Sequence, residues 1–370
     1  MAPFTVGIYP SPFLSDAWNA TGNPNIRLWA EAVQRQGFGV EGVDVEELLN
    51  PERLARRGLD LVHMNWPEAF FHALWADIPP LRRRLAPMRP MARRVEAWIR
   101  RLDACALPLV LQIHELGSHN FVPGSVRARL DQVMRRRLWD ICAAVATQEE
   151  SGAALLQDHF GSAKPVAATP LGDYAQVHGP AIDRRQARRR LGLDATGRVL
   201  GAVGTYRPRR NPDRVLKTFQ RLAGPEDRLV IAGQGMELYH RIRDKRIRVL
   251  AGFLAPETMR DIYCALDVAI NDCSDYFTSG VVRAALSYGL PVAAQPFGNT
   301  IDMARGAMVP IDQDDRGLET ALSRCLTMSS GELEAMRGQA RHRNEERTWD
   351  KAGEAFARLY KTILIDRQEA

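Results

Sequence analysis

The chain has 370 residues, of which 45% are hydrophobic and 25% charged, and it carries a formal net charge of +6 at pH 7. This length exceeds one ordinary core and favours two domains of a globular protein. Its five cysteines are scattered without a Cys-x-x-Cys pair, which favours buried thiols over a disulfide framework or a zinc site. The first ten residues do not follow the pattern expected of a secretory leader, and no apolar run reaches the roughly 20 residues of a membrane span. We therefore expect a cytoplasmic protein.

The first half of the chain alternates predicted strands with predicted helices. Helical spacing of apolar residues predicts one helix that starts at residues 23–25 and ends near Gly37, and a second at residues 90–102. Apolar runs predict strands at residues 5–9, 39–43, 59–64, 107–113 and 143–146. This alternation is typical of an open parallel α/β sheet.

The second half begins a new α/β series after a polar segment. Residues 176–196 contain Pro180 and a run of arginines, so we predict a linker there. Further strands are predicted at residues 198–203, 228–232, 248–250, 268–270 and 292–294, and helices at 212–222, 256–265, 278–288 and 349–364. The predicted domains are residues 1–175 and 197–348, followed by a last segment at 349–370. Two such open parallel sheets would face a central cleft, where ligands of these folds bind.

Three loops of the second half combine features that suit a nucleoside diphosphate. Gly204 is followed by Arg207 and Arg210, and arginine offers phosphate a planar, bidentate fork. Gly233 allows the backbone to approach a ligand closely. Residues 278–280 precede a helix, whose free N–H groups and positive dipole end attract phosphate, although an ordinary helix cap is the alternative. Because each loop follows a strand of one predicted sheet, together they indicate a diphosphate site.

Arginines are concentrated in the predicted helix at residues 90–102 and just before it. The helical period places Trp98 and its apolar neighbours inward and the arginines outward. Such a surface can bind anionic lipid headgroups, nucleic acid or a pyrophosphate, or it is a solvated helix face. The arginines concerned are Arg82, Arg83, Arg84, Arg89, Arg93, Arg94, Arg100 and Arg101, with a second cluster at 135–137.

Stretches along nearly the whole chain resemble a known family. They are residues 23–28, 60–68, 114–119, 204–210, 231–233 and 277–294. The chain resembles GT-B glycosyltransferases that build bacterial exopolysaccharides, most of all the group that contains the xanthan β-mannosyltransferase. The second half resembles GT-B enzymes in general, whereas the Asn-Pro loop and the His-x-Asn-Trp-Pro-Glu run resemble the narrower group.

The resemblance implies a GT-B fold, in which two Rossmann-like domains face a cleft and the last helix crosses back to the first domain. It also implies that the second domain binds the nucleotide-sugar donor, with Phe253 near the nucleobase. Retaining members carry two glutamates eight residues apart, but the corresponding positions here are near Tyr276 and Ala284. Their absence favours an inverting enzyme, or a chain that has lost activity. The implied donor-binding residues are Gly204, Arg207, Arg210, Gly233, Phe253, Thr278, Ser279 and Gly280.

An inverting displacement needs a base that removes the proton of the acceptor hydroxyl. Glu115 and His119 follow the strongest predicted strand and are the first candidates, although the His114–Glu115 pair departs from the His-Asn that the family tends to show. A histidine hydrogen-bonded beneath the loop is the alternative for His63 and His114, and a helix N-terminal carboxylate for Glu68. The residues expected on the acceptor side of the cleft are His63, Trp66, Glu68 and His114.

The resemblance thus implies an inverting transferase that moves a sugar from a nucleoside diphosphate to a lipid-linked oligosaccharide, without a metal. GDP-mannose is the favoured donor, with UDP-linked sugars next. The protein would lie on the inner face of the plasma membrane, held by anionic lipid rather than by nucleic acid. The alternatives are a GT-B sugar-nucleotide epimerase or phosphorylase, and a non-catalytic sugar-nucleotide-binding protein. The residues expected to face the membrane are Arg93, Arg94, Trp98, Arg100 and Arg101.

Overall fold

The chain divides into two compact units. The first unit comprises Met1–Leu171 and Trp349–Ala370, and the second comprises Gly172–Thr348. The predicted linker at residues 176–196 therefore falls inside the second unit. A computed structural model describes residues 4–11, 24–67, 88–118, 121–122, 124–162, 164–193, 196–206, 212–273, 276–314 and 316–369.

The first unit contains a six-stranded sheet in the order β2-β1-β3-β4-β5-β6, and each neighbouring pair is parallel. The strands are β1 Thr5–Tyr9, β2 Gly39–Gly42, β3 Leu61–Asn65, β4 Leu109–Gln112, β5 Ala144–Thr147 and β6 Val166–Ala168. Among the described residues, the helices that precede the second unit are α1 Asn25–Arg35, α2 Val45–Leu49, α3 Pro51–Leu54, α4 Met88–Ala104, α5 Val126–Ile141 and α6 Glu150–Phe160. Strands β3, β4 and β5 are buried along their whole length, as expected for parallel strands that are covered on both faces.

The second unit contains another six-stranded parallel sheet, in the order β12-β11-β10-β7-β8-β9. Its strands are β7 Val199–Val203, β8 Arg228–Gly233, β9 Ile247–Ala251, β10 Val268–Asn271, β11 Val292–Ala294 and β12 Met308–Pro310. Its helices are α7 Ala175–His178, α8 Arg184–Arg190, α9 Pro212–Leu222, α10 Pro256–Ala265, α11 Gly280–Ser287, α12 Thr300–Met303, α13 Gly317–Thr327 and α14 Ser330–Glu345, with a 3-10 helix at Glu237–Arg241.

The last helix, α15 (Trp349–Glu369), belongs to the first unit and packs on α1. The Trp29 and Phe356 rings meet edge to face with their centroids 4.9 Å apart. The two helix backbones approach closely at Gly353, where an added Cβ would lie 2.5 Å from the carbonyl oxygen of Ala32. The predicted return of the last helix to the first domain is thereby confirmed.

The arginine-rich helix α8 is held by ion pairs rather than by an apolar stripe. Arg184 and Arg188 both contact the buried carboxylate of Asp267, at 3.2 and 2.8 Å. Arg190 lies 3.3 Å from Asp261 of α10. These contacts make the segment part of the folded second unit, so it is not a free connector.

Helix α4 buries Trp98, one of the residues expected to face the membrane. Trp98 is only 3% exposed, and its indole N–H donates to the carbonyl of Leu48 at 2.7 Å. The prediction that Trp98 faces a membrane is therefore wrong, and the helical period alone places it correctly. Arg93, Arg94, Arg100 and Arg101 are all exposed, and the Arg101 guanidinium forms two hydrogen bonds with Glu52. Within the described residues, no helix is both long enough and apolar enough to cross a bilayer.

Candidate functional site

Polar side chains cluster where strands β3, β4 and β5 of the first unit end. Trp66 follows β3 with a left-handed backbone (φ 45°), an unusual conformation for a residue with a side chain that is often found at functional sites. Its indole stacks on the imidazole of His114, which follows β4, with the centroids 5.0 Å apart. The side chains of Asn65 and Gln148 lie 3.2 and 3.0 Å from the two ring nitrogens of His114.

The His114 ring is neutral and fully hydrogen-bonded. Because Gln148 donates to Nδ1, the proton of the neutral ring belongs on Nε2, which donates to the Asn65 carbonyl oxygen. Burial lowers the pKa of His114 to about 4, and the Glu115 carboxylate opposes this shift only in part. The arrangement suits a residue that positions its neighbours rather than one that removes a proton.

The loop that carries Glu115 is held in place by helix α5. The carboxylate of Asp131 accepts the Ser118 backbone N–H at 3.0 Å and the Arg135 Nε–H at 2.9 Å. Arg135 also donates to the carbonyl oxygen of Glu115 at 3.0 Å. An added Cβ at Gly117 would lie 2.7 Å from the side-chain amide nitrogen of Gln132, which donates to the Leu116 carbonyl at 2.8 Å, so a larger residue would displace that side chain. Glu115 itself is half-buried, on a loop with a fixed backbone.

The structure places His63 inside the first unit rather than on an acceptor surface. The side chain is fully buried, and its Nδ1 lies 2.7 Å from the Tyr360 hydroxyl of α15. The rings of Trp29 and Phe356 surround it, with centroids 4.5 and 5.3 Å away. His63 therefore helps to seat α15, as the alternative of a hydrogen-bonded histidine anticipates. The other two predicted residues of this region, Glu68 and His119, lie outside the described residues.

In the second unit, the tips of β7 and β8 come together through glycines. An added Cβ at Gly233, where φ is 130°, would lie 2.2 Å from the carbonyl oxygen of Gly204. The Tyr206 backbone N–H donates to the Gln234 carbonyl at 2.8 Å, and the Tyr206 side chain covers Gly235. Both predicted glycines therefore lie at one edge of the sheet, on adjacent strands.

The predicted run at residues 278–280 forms the start of α11. The Ser279 hydroxyl accepts the Val282 backbone N–H at 3.3 Å, as expected for an N-cap. The Thr278 hydroxyl accepts the Asn299 side-chain amide at 2.7 Å, and the Asn299 backbone N–H donates to the Phe277 carbonyl at 2.8 Å. Asn299 is a positioning residue that the sequence reading missed. Its place in the loop at residues 295–299, after a predicted strand, is the signal that could have pointed to it.

Exposed aromatic side chains mark the same edge of this sheet. Phe253, after β9, is 53% exposed, and Tyr206, after β7, is 40% exposed. Tyr276 and Ala284, near which the resemblance places the glutamates of retaining enzymes, are half-buried and buried. The predicted diphosphate ligands Arg207 and Arg210 lie outside the described residues.

Comparison with known proteins gives a family match in the second unit and fold matches over the whole chain. Residues 197–328 match the family model described as Glycosyl transferases group 1. Sucrose-phosphate synthase from Thermosynechococcus elongatus is similar in structure at 16% identity and a TM-score of 0.70, over 98% of this chain and 100% of that one. HepE from Anabaena, solved in complex with UDP, gives 13% identity and a TM-score of 0.65, over 97% and 100%. A search of curated proteins finds no match.

A third solved structure extends the likeness to a plant protein. The catalytic domain of Starch Synthase IV from Arabidopsis thaliana, bound to ADP and acarbose, gives 14% identity and a TM-score of 0.64, over 98% of this chain and 100% of that one. At these identities the likeness concerns the fold, and the predicted GT-B fold is confirmed. The narrower xanthan-type group stays a prediction. Together with the match over residues 197–328, the comparisons support the coarser resemblance, that of a GT-B glycosyltransferase of group 1.

Proposed function

We propose that the chain is an inverting glycosyltransferase that moves a sugar from a nucleoside diphosphate to a lipid-linked oligosaccharide in exopolysaccharide synthesis. The observation that carries the proposal is the match of residues 197–328 to group 1 glycosyltransferases. In the same unit, glycine-lined strand tips and a capped helix start lie on neighbouring strands of one sheet.

The donor is proposed to bind at the carboxyl-terminal edge of the second sheet. The start of α11 offers backbone N–H groups and a positive dipole end to the diphosphate. Gly204 and Gly233 allow the ligand to approach the backbone, and Arg207 with Arg210 would neutralise the leaving diphosphate without a metal. The exposed ring of Phe253 suits contact with a nucleobase. GDP-mannose is the proposed donor, and the complex of HepE with UDP supports UDP-linked sugars as the alternative.

The proposal that the enzyme inverts the configuration of the transferred sugar is based on the side chains at positions 276 and 284. Tyr276 and Ala284 supply no carboxylate where retaining members carry two. Inversion then requires one base, and Glu115 and His119 are the proposed candidates. His114 is proposed to orient the loop, because both of its ring nitrogens are already hydrogen-bonded.

The acceptor is proposed to reach the protein at a membrane surface. Arg93, Arg94 and Arg100 are exposed on one helix and suit anionic headgroups. Trp98 is not part of this surface, because it is buried, whereas Arg101 is exposed and paired with Glu52. Binding to vesicles that contain anionic lipid, lost when these three arginines become glutamine, would support this part of the proposal.

The first experiment is thermal melting of the purified protein against GDP-, UDP- and dTDP-sugars. A ligand that binds only the folded state stabilises it by about 2.7 kcal/mol at a hundred times its Kd. We expect one nucleotide class to raise Tm and Arg207→Ala to abolish the rise. Arg248→Ala, on the exposed side of β9, is the matched control and should keep it. No rise with any nucleotide would contradict the donor site.

Transfer itself is tested with the nucleotide that binds and a lipid extract as acceptor. We expect labelled sugar to enter the lipid fraction, and Glu115→Gln or His119→Gln to reduce transfer strongly while the rise in Tm is kept. Nucleotide binding without transfer would favour the non-catalytic alternative, and release of an epimerised donor would favour an epimerase.

A further inference from the structure

The arginine run within the predicted linker forms a charged cluster at the amino-terminal edge of the second sheet. Helix α8 carries arginine at five of its seven positions and no acidic residue, so other elements must balance its charge. Arg184 and Arg188, one helical turn apart, both contact the carboxylate of Asp267, and Arg337 of α14 contacts the same carboxylate. Asp267 directly precedes β10, whereas the proposed donor site lies at the carboxyl-terminal ends of these strands. The cluster is therefore separate from the donor site.

The cluster holds more positive than negative charge. The single carboxylate of Asp267 serves three guanidinium groups, and those of Arg184 and Arg337 both lie 3.2 Å from its Oδ1. Its Oδ2 also accepts the Val199 backbone N–H at 2.9 Å. A second carboxylate, that of Glu334, also attracts Arg337, but it is exposed and already hydrogen-bonded to another arginine of α14. An excess of positive charge remains.

Arg337 shows the effect of this excess. The residue is 7% exposed, and its Nε–H has no hydrogen-bond partner in the part of the chain that the structure describes. Burial is the largest cause that lowers the pKa of Arg337 to about 10, and the like charge of Arg184 is the next. The attraction of Asp267 is smaller than that repulsion. Because a buried charge without compensation is costly, a further anion beside the cluster would stabilise it.

The excess charge can be reached from solvent along α8. The side chains of Arg184 and Arg188 are 38% and 17% exposed. Within the described residues, Arg184 donates through Nη1 alone, and Arg188 through Nε and Nη2, so each guanidinium keeps N–H groups for another acceptor. The planar fork of a guanidinium matches the oxygens of a phosphate group. A phosphate dianion can accept from both arginines at once, whereas chloride supplies one charge and no oxygens.

We propose that Arg184 and Arg188, with the charge of Arg337 behind them, form a binding site for one phosphate group, carried by inorganic phosphate or by a phosphate monoester. The two arginines of α8 supply the hydrogen bonds, and Arg337 attracts the anion without contacting it. Bound phosphate neutralises the excess charge and stabilises the second unit. The inference does not rest on the proposed function, because no residue of the donor site takes part.

The test is phosphorus NMR of inorganic phosphate and of methyl phosphate, titrated with the full chain at an ionic strength held constant with chloride. We expect saturable binding that chloride does not displace. Arg184→Gln should weaken it about tenfold, because charge-assisted hydrogen bonds to the anion are lost. The matched control is Arg221→Gln, at an exposed arginine of the same unit that is paired with Glu319, and it should leave the affinity unchanged.

Asp267→Asn tests the same site with the opposite sign. The substitution removes the carboxylate that competes for the guanidinium groups, so the affinity for phosphate should rise. Should this variant fail to fold, Arg188→Gln takes its place and should weaken binding as Arg184→Gln does. Tighter binding of methyl phosphate than of inorganic phosphate supports an organic phosphate as the ligand, and the reverse order supports free phosphate.

Three results would overturn the inference. They are the binding of neither phosphate, displacement by chloride at equal ionic strength, and equal affinity in the wild type and the α8 variants. The double variant Arg207→Ala/Arg210→Ala separates this site from the proposed donor site, and we expect it to keep the phosphate affinity. Loss of binding in that double variant but not in Arg184→Gln would assign the phosphate to the donor site and leave α8 with a structural role alone.

Discussion

Two histidines of the first unit, the buried His63 and the half-buried His114, are held in the neutral form. Burial is the largest cause that lowers the pKa of His63 to about 3 and that of His114 to about 4. Both rings are therefore neutral at pH 7, and the hydrogen bonds that surround them assume that state. Protonation of either ring would place a cation among aromatic and amide groups, which makes the unit sensitive to acid.

This sensitivity is testable at His63. An unfolded histidine binds a proton below its ordinary pKa of 6.5, whereas folded His63 does so only near pH 3, so its contribution to stability is complete above pH 6.5 and is lost as the pH falls towards 3. Replacing His63 and Tyr360 by phenylalanine removes the titrating ring together with its partner. Between pH 7 and pH 5, the wild type should lose about 2 kcal/mol more than this double variant.

Urea unfolding at the two pH values measures the difference. His342→Gln, at an exposed position of α14, is the control and should follow the wild type. An identical loss in the wild type and the double variant would show that His63 does not titrate in this range.

The sequence could not reveal which side chains hydrogen-bond to each other. Tyr360 lies 297 positions from His63, and no local pattern links the two. The burial of Trp98, by contrast, could be predicted. The helical period indicates that it is buried, and only its expected role in membrane binding suggested an exposed position. Periodicity is thus a better guide to burial than the role expected of a residue.

At the scale of elements, hydrophobic patterns predict most strands of both sheets. The predicted bounds of β1, α9, α10 and β11 agree with the structure. The hydrophobic pattern does not predict helix α8, because Ala187 is the one buried residue in it. Ion pairs with distant aspartates replace the usual apolar stripe. The strand order brings the predicted donor loops to one edge, but the contact between Gly204 and Gly233 requires the register of β7 with β8.

That contact gives a prediction about two glycines. Gly233 and Gly252 both have positive φ, but only Gly233 faces backbone atoms where a Cβ would be. Gly252→Ala should cost about 1–2 kcal/mol for the left-handed backbone. Gly233→Ala should cost about 3 kcal/mol or more, because the tips of β7 and β8 must also separate. Urea unfolding of both variants measures this, and equal costs would contradict the close approach.

At the scale of the whole molecule, the fold persists while the sequence diverges. Sucrose-phosphate synthase shares 16% of its residues with this chain at a TM-score of 0.70. The α/β class of both units could be predicted from the order of apolar strands and amphipathic helices along this chain. The substrate could not, because it depends on loop side chains that patterns of burial do not constrain.

The role of α15 is tested by truncation. Removing residues 349–370 would uncover Trp29 and His63 in the first unit, so we expect that unit to become sensitive to protease. Removing only residues 365–370 is the control, because residues 365–367, the last whose side chains the structure describes, are exposed. Limited proteolysis and mass spectrometry report which unit is cut. Equal resistance of the two truncated chains would show that α15 is dispensable.

The position of α15 also fixes the order in which the chain can mature on the ribosome. The second unit is continuous in sequence, so it can complete its contacts as soon as Thr348 has emerged. The first unit begins earlier but finishes later, because the helix that covers α1 is translated after the whole second unit. The unit whose translation starts first is thus the last to be completed. Until α15 has been made, its nascent form exposes an apolar surface that chaperones can bind.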